Sequence, residues 1–549
     1  MQRLSSFARS LSGNSRAAEV DDSKPQPTNK TLFQSFEWYL PGPEDSSAES
    51  PSHYTLLTNL LPHLSAIGIT HLWLPPGCKA TNPQDNGYAI HDLWDLGEFD
   101  SKGSRRTKWG TRKELNVFCA RAKESGIAVM WDAILNHKAG ADDKEVAHGV
   151  KVDLKDRTKQ ISQPRELEAW TSFTFPGRAG TYSDMKYDWR HFSGVDYDAR
   201  SQDHGIFKFV RKGEEGRGDW AGDVSTELGN YDYLMFADVD HSHPAVRDDI
   251  LEWGSWITSS LNLGGMRLDA IKHYSLSFLR DFIAHIDKHH PNQFYVGEYW
   301  DAKTEVLEKV IRKFHGRLNL FDVQLVYTFS DYSKGRMIDL RAILDGSLVQ
   351  KDPAHAVTFV ANHDTQEMQS LAAPVEEWFI PLAYSLILLR HNAGTPCVFW
   401  GDVFGNHGPR PRFPATGGKL VRLIAARKLY AYGPQRDYFD KVDCIGWTRL
   451  GHRSQSDGAG LAVLMTNSWD RRSKQMFVGQ RHVGESWKDV LGFEDREVVI
   501  DSKGMGSFPV GHRCVGVWVN KLAPGFENLS RFTFPRLAQA IPPITNLPV

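Results

Sequence analysis

From residue 31 onward, short apolar runs rich in β-branched and aromatic residues alternate with longer segments of helical periodicity. The runs 31–38 (TLFQSFEW), 71–75 (HLWLP), 127–135 (IAVMWDAIL), 264–271 (GGMRLDAI), 293–300 (QFYVGEYW), 318–325 (LNLFDVQL), 356–364 (AVTFVANHD) and 395–402 (TPCVFWGD) read as strands. Amphipathic patterns between most of them, at 53–66, 111–125, 244–261, 275–289, 303–315 and 376–392, read as helices. Near-continuous apolar strands separated by helices predict a parallel sheet covered on its faces. Eight such units predict a closed (β/α)₈ TIM barrel. No GxGxxG follows the first strand, which argues against an open doubly wound sheet.

Two intervals break this rhythm. Residues 138–240, rich in Asp, Gly, Trp and Tyr, follow the third strand and are too long for a loop, so they predict an inserted domain B. After about 428 strands alternate without helices (CIGWTRL, GLAVLMTN, REVVIDS, CVGVWVN), predicting a C-terminal antiparallel β-sandwich domain over 428–521. The barrel is then expected over 31–137 and 241–427. A polar leader, 1–30, is expected to be disordered, and 522–549 to form a packed or mobile tail.

Composition narrows the partners. Hydrophobic residues at 41% and charged residues at 24% allow a sizeable core. Lys+Arg 65 against Asp+Glu 67 leaves a net charge of −2, which gives no broad field for nucleic acid or an anionic membrane, so neither is expected as a partner. The longest apolar run, 379–389, contains Pro381 and falls short of the ~20 residues of a membrane span. Arg3, Arg9 and Arg16 accompany no continuous apolar stretch, which argues against a secretory signal and for a cytoplasmic protein. The same Arg and Ser scatter also suits a mitochondrial presequence. Five widely separated cysteines without CxxC spacing predict free thiols rather than a disulfide framework.

In such a barrel the chemistry sits at the C-terminal ends of the strands. The third strand runs out in Asp132 to His137, the fourth in Arg267-Leu-Asp269 and then Lys272-His273, the fifth in Glu298, and the seventh in Asn362-His363-Asp364. Each alone is equally an ordinary capping or solvated residue; three carboxylates on one rim predict a site. Arg267 and Asp269 are two apart on a strand and share its inward face. The cation is expected to keep Asp269 ionised, as a nucleophile requires, unless the two form a purely structural pair. Glu298, among Tyr295, Val296, Tyr299 and Trp300, is expected to resist ionisation and serve as a general acid. One ionised and one protonated carboxyl is what glycoside hydrolysis needs. Oxygen donors at Asp232, Asp238 and Asp240 favour calcium over zinc, although turn formation or helix capping uses the same residues. Seventeen Trp residues, many at strand ends or in the insertion, match the apolar faces of sugar rings, or simply fill the core.

These segments carry a family resemblance. In order, 132–137 (DAILNH), 265–273 (GMRLDAIKH), 297–300 (GEYW) and 359–364 (FVANHD) resemble the characteristic regions of the α-amylase family, glycoside hydrolase family thirteen. FEWYLP (36–41), residues 86–111, YDYLMFADVD (231–240) and residues 426–440 resemble its bacterial liquefying and intracellular fungal members. The resemblance implies a retaining, endo-acting α-1,4-glucan hydrolase on starch, glycogen or maltooligosaccharides, expected as a monomer. A transglycosylase using the same site, or a non-catalytic glucan-binding relative, stays open. It implies Asp269 as nucleophile, Glu298 as acid/base and Asp364 as third carboxylate. His137, His363 and Arg267 would surround the sugar, Tyr88 would stack on it, and Lys272 and His273 would reach the leaving-group side. It also implies a structural calcium held by Asn136, Asp232, Asp238 and the main-chain carbonyl of His273. Two positions depart: Ala221 stands where the bacterial relatives carry a metal-bridging Asp, with Asp219 or Asp223 as substitutes, and Ala361 replaces an Asp before Asn-His-Asp.

Overall fold

The computed structural model describes residues 24–42, 51–211, 219–529 and 531–532. Eight parallel strands close into a barrel: β1 Leu32–Gln34, β2 His71–Trp73, β3 Ala128–Ala133, β4 Gly265–Leu268, β5 Phe294–Gly297, β6 Asn319–Phe321, β7 Ala356–Phe359 and β8 Thr395–Phe399. Each strand pairs with its neighbours in sequence, and β1 closes on β8 through Leu32↔Cys397 to Gln34↔Phe399. Close packing shows at β4, where a Cβ on Gly265 would lie 2.2 Å from the Phe294 carbonyl oxygen of β5.

The covering helices begin and end where local chemistry dictates. His53–Ile67 is capped by Ser52, which accepts from the Thr55 amide, and stops at Gly68 with φ 104°. Arg112–Glu124 opens with a reciprocal capping box between Thr111 and Glu114. Pro244–Leu261 starts on its proline and ends at Asn262 in the left-handed region, φ 50°. One strand expectation needs correction. The run 318–325 splits, because Asp322 accepts from the Leu325 amide and starts a helix, Val323–Ser333, leaving only β6 extended.

The stretch after β3 forms a six-stranded sheet whose first strand, His137–Lys138, pairs antiparallel with Ala237–Val239 near the insertion's exit. Entry and exit are thus zipped together, with His137 opposite Asp238. Downstream, a six-stranded sheet begins with Gln435–Lys441 and Cys444–Arg449, and Arg472–Phe477 pairs with Met505–Val510. Residues 24–30, expected as the end of a disordered leader, lie against the molecule: Asn29 Nδ2 donates to the carbonyls of Arg427 (3.0 Å) and Ala431 (3.2 Å). The rest of that leader, 1–23, and the tail from 533 lie outside the described residues. Cys78, Cys119, Cys397, Cys444 and Cys514 are free thiols. No helix among the described residues is long and apolar enough to cross a membrane.

Candidate active site

The parallel register places Arg267 of β4 beside Asp132 of β3 and Val296 of β5. Its fully buried guanidinium joins three strand ends: Nη1 donates to Asp132 Oδ1 (2.7 Å) and Asp269 Oδ1 (2.5 Å), and Nη2 to Glu298 Oε2 (2.5 Å). One planar fork thereby confines the bonded oxygens of Asp269 and Glu298 to within roughly 7 Å of each other. The Ala270 amide also donates to Glu298 Oε2 (3.2 Å). Gly297 leaves room before Glu298, since a Cβ there would lie 2.5 Å from Ile271 Cδ1.

A single guanidinium cannot neutralise all these acids. Burial, reinforced by Asp132 and Asp364, pushes Asp269 up to about 7 against the opposing pull of Arg267. Burial, with Asp269 and Asp364 adding to it, pushes Glu298 up to about 8, and burial lifts Asp364 to about 6. The expectation that Arg267 alone would keep Asp269 ionised is therefore corrected: burial outweighs it. The ordering survives, with Glu298 the more reluctant of the bonded pair to ionise.

Around this cluster, Asp132 Oδ2 accepts from Tyr88 Oη (2.9 Å) and Trp73 Nε1 (3.0 Å). Tyr88, Trp38 and His363 have near-parallel rings, their centroids 5.0 to 6.1 Å apart in every pairing. The three rings therefore form one offset-stacked aromatic cluster. His363 Nδ1 pairs with Gln34 Nε2 (3.0 Å), and its Nε2 lies 3.2 Å from Asp364 Oδ2. His137 Nε2 pairs with the Tyr88 carbonyl (2.9 Å). Lys272 Nζ donates to the Trp300 carbonyl (3.0 Å) and to Glu227 Oε2 (2.5 Å) of the insertion. His273 turns its ring to the Tyr231 carbonyl (2.9 Å) instead.

Similarity to known proteins follows the same outline. The family described as "Alpha amylase, catalytic domain" matches residues 45–436. An α-amylase of Bacillus licheniformis is 44% identical over 90% of this chain and 94% of its own length. A cytoplasmic α-amylase of Escherichia coli is 40% identical over 89% and 99%. This chain belongs to the α-amylase family. The solved α-amylase of Geobacillus thermoleovorans, complexed with acarbose, shares the fold at a TM-score of 0.58 and 17% identity, covering 90% of this chain and 99% of that one. The chain is a glycoside hydrolase of α-amylase type.

The α-amylase family is generally calcium-associated. The antiparallel pairing of His137 with Asp238 brings the neighbouring Asn136 within reach, its Nδ2 3.4 Å from Asp238 Oδ1. Asn136 Oδ1 is buried without a hydrogen-bond partner. Asp238 also accepts from Ser193 Oγ, and Asp232 Oδ2 from the Ala221 amide (2.9 Å). Burial, then Asp240, Asp223 and Asp219, push Asp232 up to about 8; burial and Asp232 push Asp238 well above the ordinary range. Among the described residues no three His, Cys, Asp or Glu side chains group to hold a metal. A set of two carboxylates, an amide and main-chain oxygens is the kind calcium takes. Asp223 is engaged elsewhere, accepting from the Ser277 amide (2.7 Å) at the start of the next helix, and Asp219 pairs with Lys208 (2.7 Å).

Sequence reasoning passed over Asp132 and Gln34 as members of the site. Asp132 ends a barrel strand just as Glu298 follows one, which was signal enough; Gln34 meets His363 across 329 residues, which no local pattern reveals.

Proposed function

We propose that this enzyme cleaves internal α-1,4-glucosidic bonds of starch, glycogen or maltooligosaccharides with retention. The observation that carries the reading is Arg267 holding Asp269 and Glu298 by the two ends of one guanidinium. A retaining pair needs carboxyls about 5–5.5 Å apart, and the shared fork keeps these two on that scale. Asp269 attacks the anomeric carbon; the bond to the glycosidic oxygen breaks, its electron pair stays on that oxygen, and Glu298 supplies the proton. Water then adds to the same carbon, its proton passes to Glu298, and the bond to Asp269 breaks. Asp364 and His363 face the sugar beside the Tyr88 ring and grip its hydroxyls, while Arg267 stabilises whichever carboxylate is ionised. Lys272 and His273 border the leaving-group side.

A calcium ion, held by Asn136, Asp232, Asp238 and the His273 carbonyl, would supply positive charge to buried carboxylates and tie the insertion to the barrel. It takes no part in bond breaking. The orphaned Asn136 Oδ1 supports this assignment. Similarity to a cytoplasmic α-amylase supports action inside the cell.

Product analysis tests the reading. Incubation with one maltooligosaccharide of defined length should give only shorter products, and soluble starch should lose iodine staining faster than it releases reducing sugar. Products longer than the substrate would make the enzyme a transglycosylase on the same site. Slow trimming without loss of staining would remove endo action.

A further inference from the structure

A second groove lies on the outer face of the helix Pro244–Leu261, lined by none of the Arg267-bonded carboxylates. It is a shallow, open depression of about 750 Å³, bordered by Trp94, Tyr182, Trp256, Asp248 and Glu252. Trp256 stands between the other two rings, its centroid 5.0 Å from Trp94 and 4.9 Å from Tyr182. Tyr182 is 47% exposed and Trp256 half-buried, so both offer ring surface to solvent.

The platform is fixed in place before anything binds. Asp249 accepts from Trp94 Nε1 (3.0 Å), Ser183 Oγ (2.6 Å) and Tyr187 Oη (2.9 Å), locking the helix to the loop that carries Tyr182. Tyr182 Oη donates to Glu98 Oε2 (3.1 Å). Rings held this way lose little freedom on binding. Along one side, Asp248 and Glu252 are exposed. The two carboxylates are four residues apart and so share one helix face; on the same face the Ser255 hydroxyl is buried and that of Ser259 pairs with His290 Nε2 (3.0 Å).

Aromatic faces flanked by two exposed carboxylates, which accept from sugar hydroxyls, suit a ligand with apolar ring faces and hydroxyl edges. A cationic ligand fits less well, because the Arg112 guanidinium already lies 5.1 Å from the centre of Trp256. We propose that this groove is a second carbohydrate-binding site, which takes a segment of α-glucan chain away from the catalytic carboxyls. The choice of glucan rests on the function proposed above.

The test pairs two readouts. In an Asp269→Asn background the full chain is run through native gels containing glycogen, and Tyr182→Ala and Glu252→Ala, both exposed, are compared with that parent; Trp256→Ala is added with its Tm recorded. In otherwise unaltered enzyme the same variants are assayed on maltotetraose and on glycogen. Each groove variant should weaken glycogen retardation roughly fivefold and raise KM on glycogen, while kcat/KM on maltotetraose stays unchanged. Retardation equal to the parent in both Tyr182→Ala and Glu252→Ala would overturn the proposal, as would equal losses on both substrates. Binding of a lysine-rich peptide at the groove in place of glycogen would also overturn it. Hydrolysis of glycogen by unaltered enzyme with no groove-dependent retardation sinks this proposal alone; retardation without any hydrolysis sinks the catalytic reading and leaves the groove standing.

Discussion

Two buried acidic regions of this enzyme handle charge in opposite ways. Asp132, Asp269 and Glu298 converge on Arg267, a cation the chain itself supplies. Asp232 and Asp238 are also held protonated by burial, with Asp232 adding to the effect at Asp238, yet among the described residues their bonded partners are an amide, a hydroxyl and a main-chain N–H. A buried carboxylate with neutral partners either takes a proton or waits for an external cation. On the proposed function, the difference separates a site whose acids exchange protons during turnover from one whose acids would stay ionised around a metal.

Removing one member of the Arg267 cluster should give the largest effects. Asp269→Asn or Glu298→Gln should lower kcat about 10²–10⁴-fold with an unchanged far-ultraviolet circular dichroism spectrum. More than a tenth of the original rate in either variant would dissociate these residues from the reaction. Arg267→Met leaves three buried acids without their cation and should cost about 3–5 kcal/mol in urea unfolding, besides abolishing turnover. A variant as stable as the parent would mean the acids are already neutral, and the contrast between the two regions would collapse.

The Asp232 and Asp238 region should respond to metal and not to substrate. Chelation should lower the Tm by about 5 °C or more, and added calcium should restore it. Asp238→Asn should abolish that response while leaving the metal-free protein no less stable, since a buried carboxyl is exchanged for a neutral amide. Loss of stability in metal-free Asp238→Asn equal to that of chelation would show that the carboxylate stabilises the fold by itself.

The smallest expected effect is on pH dependence. In the proposed mechanism Glu298 acts as acid and must be protonated, so kcat/KM should fall as pH rises through about 8. Asp364 adds negative charge that raises this value, so Asp364→Asn should move the alkaline limb to lower pH. The stability linkage has the same sign: with folded values raised above the ordinary carboxyl range, the contribution of Asp269 and Glu298 is full below about 4 and is lost as pH rises through about 7 to 8. A limb that stays put in the residual activity of Asp364→Asn would assign it to another group.

Much of this was legible in the sequence, for reasons visible in particular residues. Strand-end positions declared Asp269, Glu298 and Asp364, because a parallel barrel delivers its strand ends to one rim. The two-residue spacing of Arg267 and Asp269 declared their shared face. What stayed hidden were choices made between distant segments. Arg267 bonds three acids rather than one, and burial, set by packing from all sides, outweighs it at Asp269. The split of 318–325 at Asp322 was a local cap overlooked inside an apolar run.

In the proposed mechanism Asp269 and Glu298, joined through Arg267, carry out a double displacement at one anomeric carbon. Proton NMR of the first reducing ends released from a maltooligosaccharide, recorded before mutarotation, tests it most directly. The α-anomer is expected; initial release of the β-anomer would rule out the double displacement.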